Sequence, residues 1–337
     1  MNIILIGHIT HDHIITPELD LHIPGGTAWY AGWALRHLLN TLPQGYDSVP
    51  YHLITSVSQA DQSSIDALTE AGVQVHNIPS PTTVYFENRY GQNMNNRQQR
   101  VLSRAQAFTW ENLQPIIASI LAADNGHAAM TDHDPDNIAA DHDHHTMTVG
   151  NDRPIFLLGS LLADDFPLEV IRQLHALGQV VVDVQGYLRE VVGEEVRAID
   201  WSEKRQALPY VDILKTNEYE MEVLTGYNEP LRAARQLCEW GAGEVLLTFG
   251  DLGSIICQSA AETVTTVTIP AYTPHPMVDA TGCGDTYTTA YILRRAQGAT
   301  TLDAGRFAAA TATIKLQRSG PFNGTFQDVL DVIGQAK

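Results

Sequence analysis

Two periodicities divide the chain. Short runs of branched apolar residues, which read as buried strands, alternate with stretches whose apolar positions recur every three or four residues, which read as helices. The predicted strands are Ile3–Ile6, His52–Val57, Ile155–Leu158, Val180–Val184, Ile213–Lys215, Val245–Phe249 and Ser254–Cys257. The predicted helices are Thr27–Leu39, Gln62–Ala71, Pro167–Leu177, Glu218–Leu224, Leu231–Trp240, Asp285–Arg295 and Leu302–Leu316. Runs such as IFLLG and VVVDV offer apolar residues to both faces of a strand. A strand of that kind must be covered twice, so the pattern predicts an α/β protein with a mostly parallel central sheet between two helical layers.

Two stretches depart from the alternation. Thr82–Tyr90 (TTVYFENRY) and Arg100–Ser103 read as a hairpin with no helical crossover. With the chain near the N-terminus they are expected to build a small β-rich lid, its strands lying at about 12–26 and 80–104; an extra edge hairpin on the main sheet is the alternative. Residues 124–153 are rich in Asp, His and Asn and poor in large apolar groups. Such a segment buries too little surface to offset its ordering entropy, so a disordered surface insertion is expected there. Its Asp141–His145 run, DHDHH, has metal-ligating side chains, although a solvated loop is the plainer reading. Apart from this insertion, residues 1–337 are expected to form one domain.

Composition narrows the class. Apolar residues make up 44% of the 337, ordinary for a globular chain. The opening MNIILIGHIT lacks a basic leader and reads as a first strand. No apolar run approaches the about 18 residues of a membrane span, so a cytoplasmic protein without a membrane partner is expected. Cys238, Cys257 and Cys283 are odd in number and lack metal-ligand spacing, which suits a reducing compartment. A net charge of −19 argues against nucleic acid as a partner, because phosphate backbones require basic patches. It leaves a nucleotide ligand open, since backbone N–H groups and helix N-termini hold phosphate without many lysines.

The strongest local signal is Val278–Ala290, VDATGCGDTYTTA. Gly282 and Gly284 free the backbone to bend, and Asp285 opens a helical pattern. The N–H groups of Gly282, Cys283, Gly284 and Asp285 are expected to converge at a helix N-terminus, which suits an anion. A carboxylate beside such a nest repels a passively held phosphate. It makes sense as a base that takes a proton from an attacking hydroxyl. An Asp cap after a Gly-rich turn explains the same residues equally well. Neither a Walker A loop nor a protein-kinase glycine loop is present, and the glycines do not match a dinucleotide fingerprint.

These residues, with three further segments in the same order, resemble the ribokinase-like, PfkB-type carbohydrate kinases nearly end to end. DATGCGD is similar to that family's C-terminal signature, where the last Asp is the base and the glycine run the anion hole. Ile213–Gly226 resembles the segment carrying its Asn-x-x-Glu motif, here Asn217 and Glu220. Thr248–Gly253, TFGDLG, resembles the turn that lies against the nucleotide. Gly7 followed by Asp12, and then Pro24-Gly25-Gly26, resemble the strand end and di-glycine pair that meet the substrate.

The resemblance implies a ribokinase-like three-layer α/β/α sandwich with a lid, and an ATP-dependent kinase acting on a sugar, cyclitol or related polyol. A nucleoside kinase and a non-catalytic sugar- or nucleotide-binding regulator are the alternatives. By resemblance Asp285 is the base, with Gly282, Cys283 and Gly284 as the hole. Asn217, Glu220, Thr248, Gly250 and Gly253 face ATP, and Glu220 reaches Mg²⁺ through water. Asp12, Gly25, Gly26, Tyr30 and Arg97 are substrate candidates, with His8, His11, His13 and Arg100 nearby. Cys283 stands where Ala is commoner, and Tyr30 where ribokinases carry Asn, a departure that counts against ribose itself. ATP and Mg²⁺ are the implied cofactors. A monovalent cation such as K⁺ is an optional third, and a homodimer through the lid an optional assembly.

Overall fold

The structure, a computed structural model, describes residues 1–18, 20–90, 97–125, 153–260, 263–273 and 276–335. The Asp/His-rich stretch read as an insertion lies outside them from 126 to 152. In chain order the strands begin with β1 (Ile3–Gly7), β2 (Thr10–Ile15), β3 (Asp20–Gly25), β4 (Tyr51–Thr55) and β5 (Gln74–Asn77). They continue with β6 (Val84–Tyr90), β7 (Arg97–Ser103), β8 (Ile155–Gly159), β9 (Gln179–Asp183), β10 (Arg189–Val192) and β11 (Glu195–Ala198). The last four are β12 (Ile213–Asn217), β13 (Glu244–Thr248), β14 (Ser254–Ala260) and β15 (Thr263–Ile269). The helices are α1 (Gly26–Asn40), α2 (Gln62–Glu70), α3 (Trp110–Asn125), α4 (Leu168–Leu177), α5 (Lys204–Ala207) and α6 (Glu218–Thr225). They end with α7 (Pro230–Glu239), α8 (Cys283–Ala296), α9 (Thr301–Leu316) and α10 (Phe326–Gln335).

Among the described residues the main sheet has nine strands in the order β15-β14-β13-β12-β9-β8-β1-β4-β5. Pairing is parallel from β13 to β5 and antiparallel at the β13-β14-β15 edge. Alternate residues of each central strand enter different cores, as the pleat requires. Ile3 and Leu5 of β1 pack with Ala31 and Leu35 of α1, Leu293 of α8 and Ala308 of α9. Ile4 and Ile6 pack with Ile117 of α3, Val170 and Leu174 of α4 and Leu237 of α7. Two apolar cores, one on each side of the sheet, make the three layers. No helix among the described residues is long and apolar enough to cross a membrane.

Among the described residues the second sheet has six strands, β10-β11-β7-β6-β2-β3. The hairpin of β10 and β11 was not in the expectation; its alternation of exposed and half-buried residues leaves no apolar run to read. Val84, Phe86 and Val101 on one face of this lid pack on Leu161 and Leu162, just past the end of β8. The lid therefore depends on the main sheet for its core. Helix α3 was also missed, because Pro115 interrupts its pattern, although a proline this near the start of a helix is tolerated better than one at its centre.

Candidate active site

The parallel strands all end on the same side, and the chemistry collects there. Helix α8 begins at Cys283 with Gly282 as its cap, so Asp285 is the third helical residue and not the cap itself. Gly282 has φ +75, and a Cβ there would fall 2.2 Å from the Tyr30 ring. Only glycine fits that turn. Among the described residues the N–H groups of Gly282 and Gly284 have no protein acceptor, whereas that of Cys283 is turned to the Ala280 carbonyl at 3.2 Å. The expected four-donor nest is thus narrower than the sequence implied. Burial raises the Cys283 thiol to about 11, which keeps it protonated and unreactive.

Burial, and then the Asp183 carboxylate at the end of β9, raise the Asp285 carboxyl to about 6; the Thr27 hydroxyl and Lys215 act in the opposite direction. Thr27 stands in the first turn of α1, so this contact joins the starts of α8 and α1. Lys215 of β12 was not singled out from the sequence, yet its Nζ is 3.3 Å from Asp183 Oδ2 and 3.1 Å from where a Gly284 Cβ would lie. Burial alone would discharge this ammonium. The carboxylates of Asp183, Glu220 and Asp285 outweigh burial and raise its pKa. Three carboxylates thus surround one buried cation. Strands β9 and β12 and helices α6 and α8 bring them together, and no linear spacing announces it.

Asn217 caps α6, its side chain accepting from the N–H of Tyr219 and Glu220, while Glu220 Oε2 accepts from the Asn217 N–H at 2.9 Å. This capping box fixes both residues of the Asn-x-x-Glu motif. Burial is the main reason the Glu220 carboxyl is raised. The Thr248 hydroxyl donates to the Thr216 carbonyl at 3.4 Å, and Gly250 and Gly253 both have positive φ in the turn after β13. Leu252 in that turn is 80% exposed, and Met277 and Val278, on the loop that leads to α8, are 66% and 55% exposed. Behind the α8 turn, Lys315 Nζ bonds both the carbonyl (2.8 Å) and the carboxylate (3.2 Å) of Asp279.

On the lid side, Asp12 is buried and accepts from the Thr10 hydroxyl at 2.7 Å. A Cβ on Gly25 would lie 2.3 Å from Asp12 Oδ2, so the di-glycine gives the carboxylate its room. Tyr30, expected to reshape the polyol pocket, does not line it: the side chain is 2% exposed, its ring lies under Gly282, and its hydroxyl has no partner among the described residues. Burial, then Asp279, Asp12 and Asp285, raise its pKa, so the ring spans the distance between the two ends of the site. His8 is a core residue against Phe108 and 3.5 Å from Asp165. His11 and His13 point to the lid face opposite Asp12. Arg97 begins β7 with its side chain outside the described residues, and Arg100 is spent on Glu87 and Glu194.

The sequence profile of the pfkB family carbohydrate kinases matches residues 119–326, more than half of the chain. The chain belongs to that family. Within the family it is similar to a ribokinase of Arabidopsis thaliana, 28% identical over 172 residues that cover 49% of this chain and 41% of the relative. It is also similar to a nucleoside kinase of Methanothermobacter thermautotrophicus, 27% identical over 129 residues, 38% of this chain and 39% of the relative. The chain thus spans about two fifths of the length of the curated relatives it matches. Among solved structures, a sulfate complex of a pyrophosphate-dependent kinase in the ribokinase family superposes with a TM-score of 0.72, covering 97% of this chain and 99% of the other at 23% identity. At that identity the likeness is one of fold. It extends the family's architecture over the lid and the first strands, which the profile match does not reach.

Proposed function

We propose that this pfkB family member is a kinase that transfers the terminal phosphoryl group of a bound donor to a hydroxyl of a small polyol. The observation that carries the reading is Asp285, a half-buried carboxyl at the start of α8 with free backbone N–H groups and a buried ammonium beside it. A carboxyl near 6 is ionised at neutral pH and still basic enough to accept a proton from an attacking hydroxyl. In the step, Asp285 takes the hydroxyl proton, the oxygen forms a bond to the donor's terminal phosphorus, and the bond from that phosphorus to the leaving oxygen breaks. Gly282 and Gly284 N–H groups and Lys215 face the charge that builds on the transferred group. Asp12, with Gly25 behind it, orients the polyol by accepting hydrogen bonds from its hydroxyls.

ATP and Mg²⁺ fit these residues. Asp183, Glu220 and Asp285 carry more negative charge than Lys215 neutralises, and hard carboxylate oxygens suit Mg²⁺ held through water. When bound, Mg²⁺ would neutralise donor phosphate charge. The exposed apolar side chains of Leu252, Met277 and Val278 are a surface that a purine base would cover. A second reading has pyrophosphate as donor. A pyrophosphate-dependent kinase in the ribokinase family, complexed with a pyrophosphate analog and myo-inositol, has a similar fold (TM-score 0.71, 22% identity), and Arabidopsis thaliana ribokinase complexed with ribose and ATP does also (0.67, 17%).

A matrix of ATP and pyrophosphate against sugars, cyclitols and nucleosides tests the proposal. Turnover of one polyol with ATP supports it. Turnover with pyrophosphate alone favours the second reading. No phosphoryl transfer in any cell of the matrix would mean a binding protein on the same fold.

A further inference from the structure

Alternation along β2 sends Thr10, Asp12 and Ile14 to one lid face and His11 and His13 to the other. The Asp12 face is continuous with Phe86, which packs toward the main sheet. The opposite face gathers three imidazoles. His22 of β3 pairs directly with His13, and their rings stack with centroids 4.0 Å apart and planes at 14°. His13 Nε2 is 2.7 Å from Asp20 Oδ1. One donor atom from each of His13, Asp20 and His22 lies within 4.8 Å of the others.

We propose that this lid face carries a divalent transition-metal site built from His13, His22 and Asp20, with water as an exchangeable fourth ligand. The proposal is independent of the phosphoryl-transfer reading. A tetrahedral ion about 2.0–2.1 Å from each ligand sets the donor atoms about 3.3 Å apart, a small adjustment of side chains on the lid surface. Two imidazoles and one carboxylate select a borderline ion such as Zn²⁺ over Mg²⁺ or Ca²⁺.

The surroundings orient the ligands as metal sites require. Asp61 Oδ1 is 3.1 Å from His11 Nδ1, and His11 Nε2 is 2.8 Å from His22 Nδ1. Burial would raise the Asp61 carboxyl, but hydrogen bonds from Thr83, His11 and Ser58 outweigh it and keep the group anionic. An anionic Asp61 draws the His11 proton to Nδ1. His11 Nε2 then accepts from the Nδ1–H of His22, which leaves the lone pair of His22 on Nε2. His13 has Glu87 4.0 Å from its Nδ1, which leaves its Nε2 for the ion. Glu87 is itself held by Arg89 Nε at 2.9 Å and Arg100 Nη1 at 3.0 Å from its Oε1. Glu87 thus stands behind His13, and Asp61 stands behind His22 through His11. The ion would clamp β3, the edge strand of the lid, to β2; β3 ends in the Gly25 that backs Asp12.

The test uses the full chain, stripped with a chelator and titrated in excess Mg²⁺ with Zn²⁺ by calorimetry and with Co²⁺ by visible absorption. The wild type and an H142Q/H144Q/H145Q variant, which removes imidazoles from the Asp/His-rich segment, are expected to bind one Co²⁺ with a tetrahedral spectrum. H13Q/H22Q is expected to lose that spectrum and the rise in melting temperature that Zn²⁺ produces, and H11Q to weaken binding about 10–100-fold. Undiminished binding by a folded H13Q/H22Q variant, or loss of the spectrum in H142Q/H144Q/H145Q, overturns the proposal. Should H13Q/H22Q fail to fold, D20N decides, since Asp20 is exposed: a loss of at least about tenfold in affinity supports the site, and an unchanged affinity overturns it.

Discussion

Asp285→Asn should make the ligand-free protein more stable while removing its activity, and both effects follow from one carboxyl. Burial and Asp183 move this group from 3.8 to about 6, which corresponds to about 3 kcal/mol as an upper bound. Asp285 is only partly shielded from solvent, so the realised figure lies below that. The sign follows from the raised value. Above about pH 6 the group is charged in both folded and unfolded chains, and the fold bears the full cost of burying charge. As pH falls toward about 4 the folded protein is protonated first, and the cost fades. Asn is nearly isosteric and neutral throughout. Melting temperature should therefore rise by a few degrees at pH 8, and the gain in stability should shrink to roughly half at pH 5. In the same variant kcat should fall by about 10²–10⁴, the range of a lost general base. Differential scanning calorimetry at the two pH values and steady-state turnover with the best polyol measure these. Turnover within tenfold of wild type, where chemistry limits the rate, would show that Asp285 is not the base; a stability gain independent of pH would show that its charge is not the strained group. Asp279→Asn makes the same charge change in the loop before α8 and should do the reverse to stability, because it strips the buried Lys315 of its carboxylate.

The remaining predictions are shorter. In the wild type kcat/KM should fall about tenfold per pH unit below about pH 6 as Asp285 protonates, read from a pH–rate profile. Asp12→Ala should raise KM for the polyol far more than for the donor; equal rises, or a stability loss with unchanged kinetics, would make Asp12 structural. Lys215→Met should weaken donor binding and cost roughly 3–5 kcal/mol by leaving Asp183 unpaired. Lys215→Met with Asp183→Asn should recover most of that stability without recovering turnover, as denaturant melts and assays would show. Replacing 126–152 with a short Gly/Ser linker should leave melting temperature and kcat nearly unchanged, because a segment so poor in large apolar residues has little surface to contribute to a core.

Much of this protein is local and therefore legible in its residues. Apolar runs such as IFLLG announce strands covered on both faces, and the two cores that receive Ile3 and Ile4 separately follow from the strand period alone. GCGD and Asn217 with Glu220 are short-range devices whose turns and caps depend on neighbours within a few residues, so linear spacing reveals them. Other features depend on which strand lies beside which. Lys215 reads as the last residue of an ordinary strand until β9 and β12 bring Asp183 against it and α8 brings Gly284 over it. Tyr30 reads as a pocket residue until α1 and α8 pack and its ring becomes the floor under Gly282. Alternation already divides the histidines near Asp12, but not what each one meets. The link between β1 and β2 leaves His8 in the core, and the β2 pleat sends His11 and His13 to the far side of the lid, where β3 supplies His22 and Asp20. Strand order and register are properties of the whole chain's packing. The residues that those choices bring together could be named only after the fold had made them neighbours.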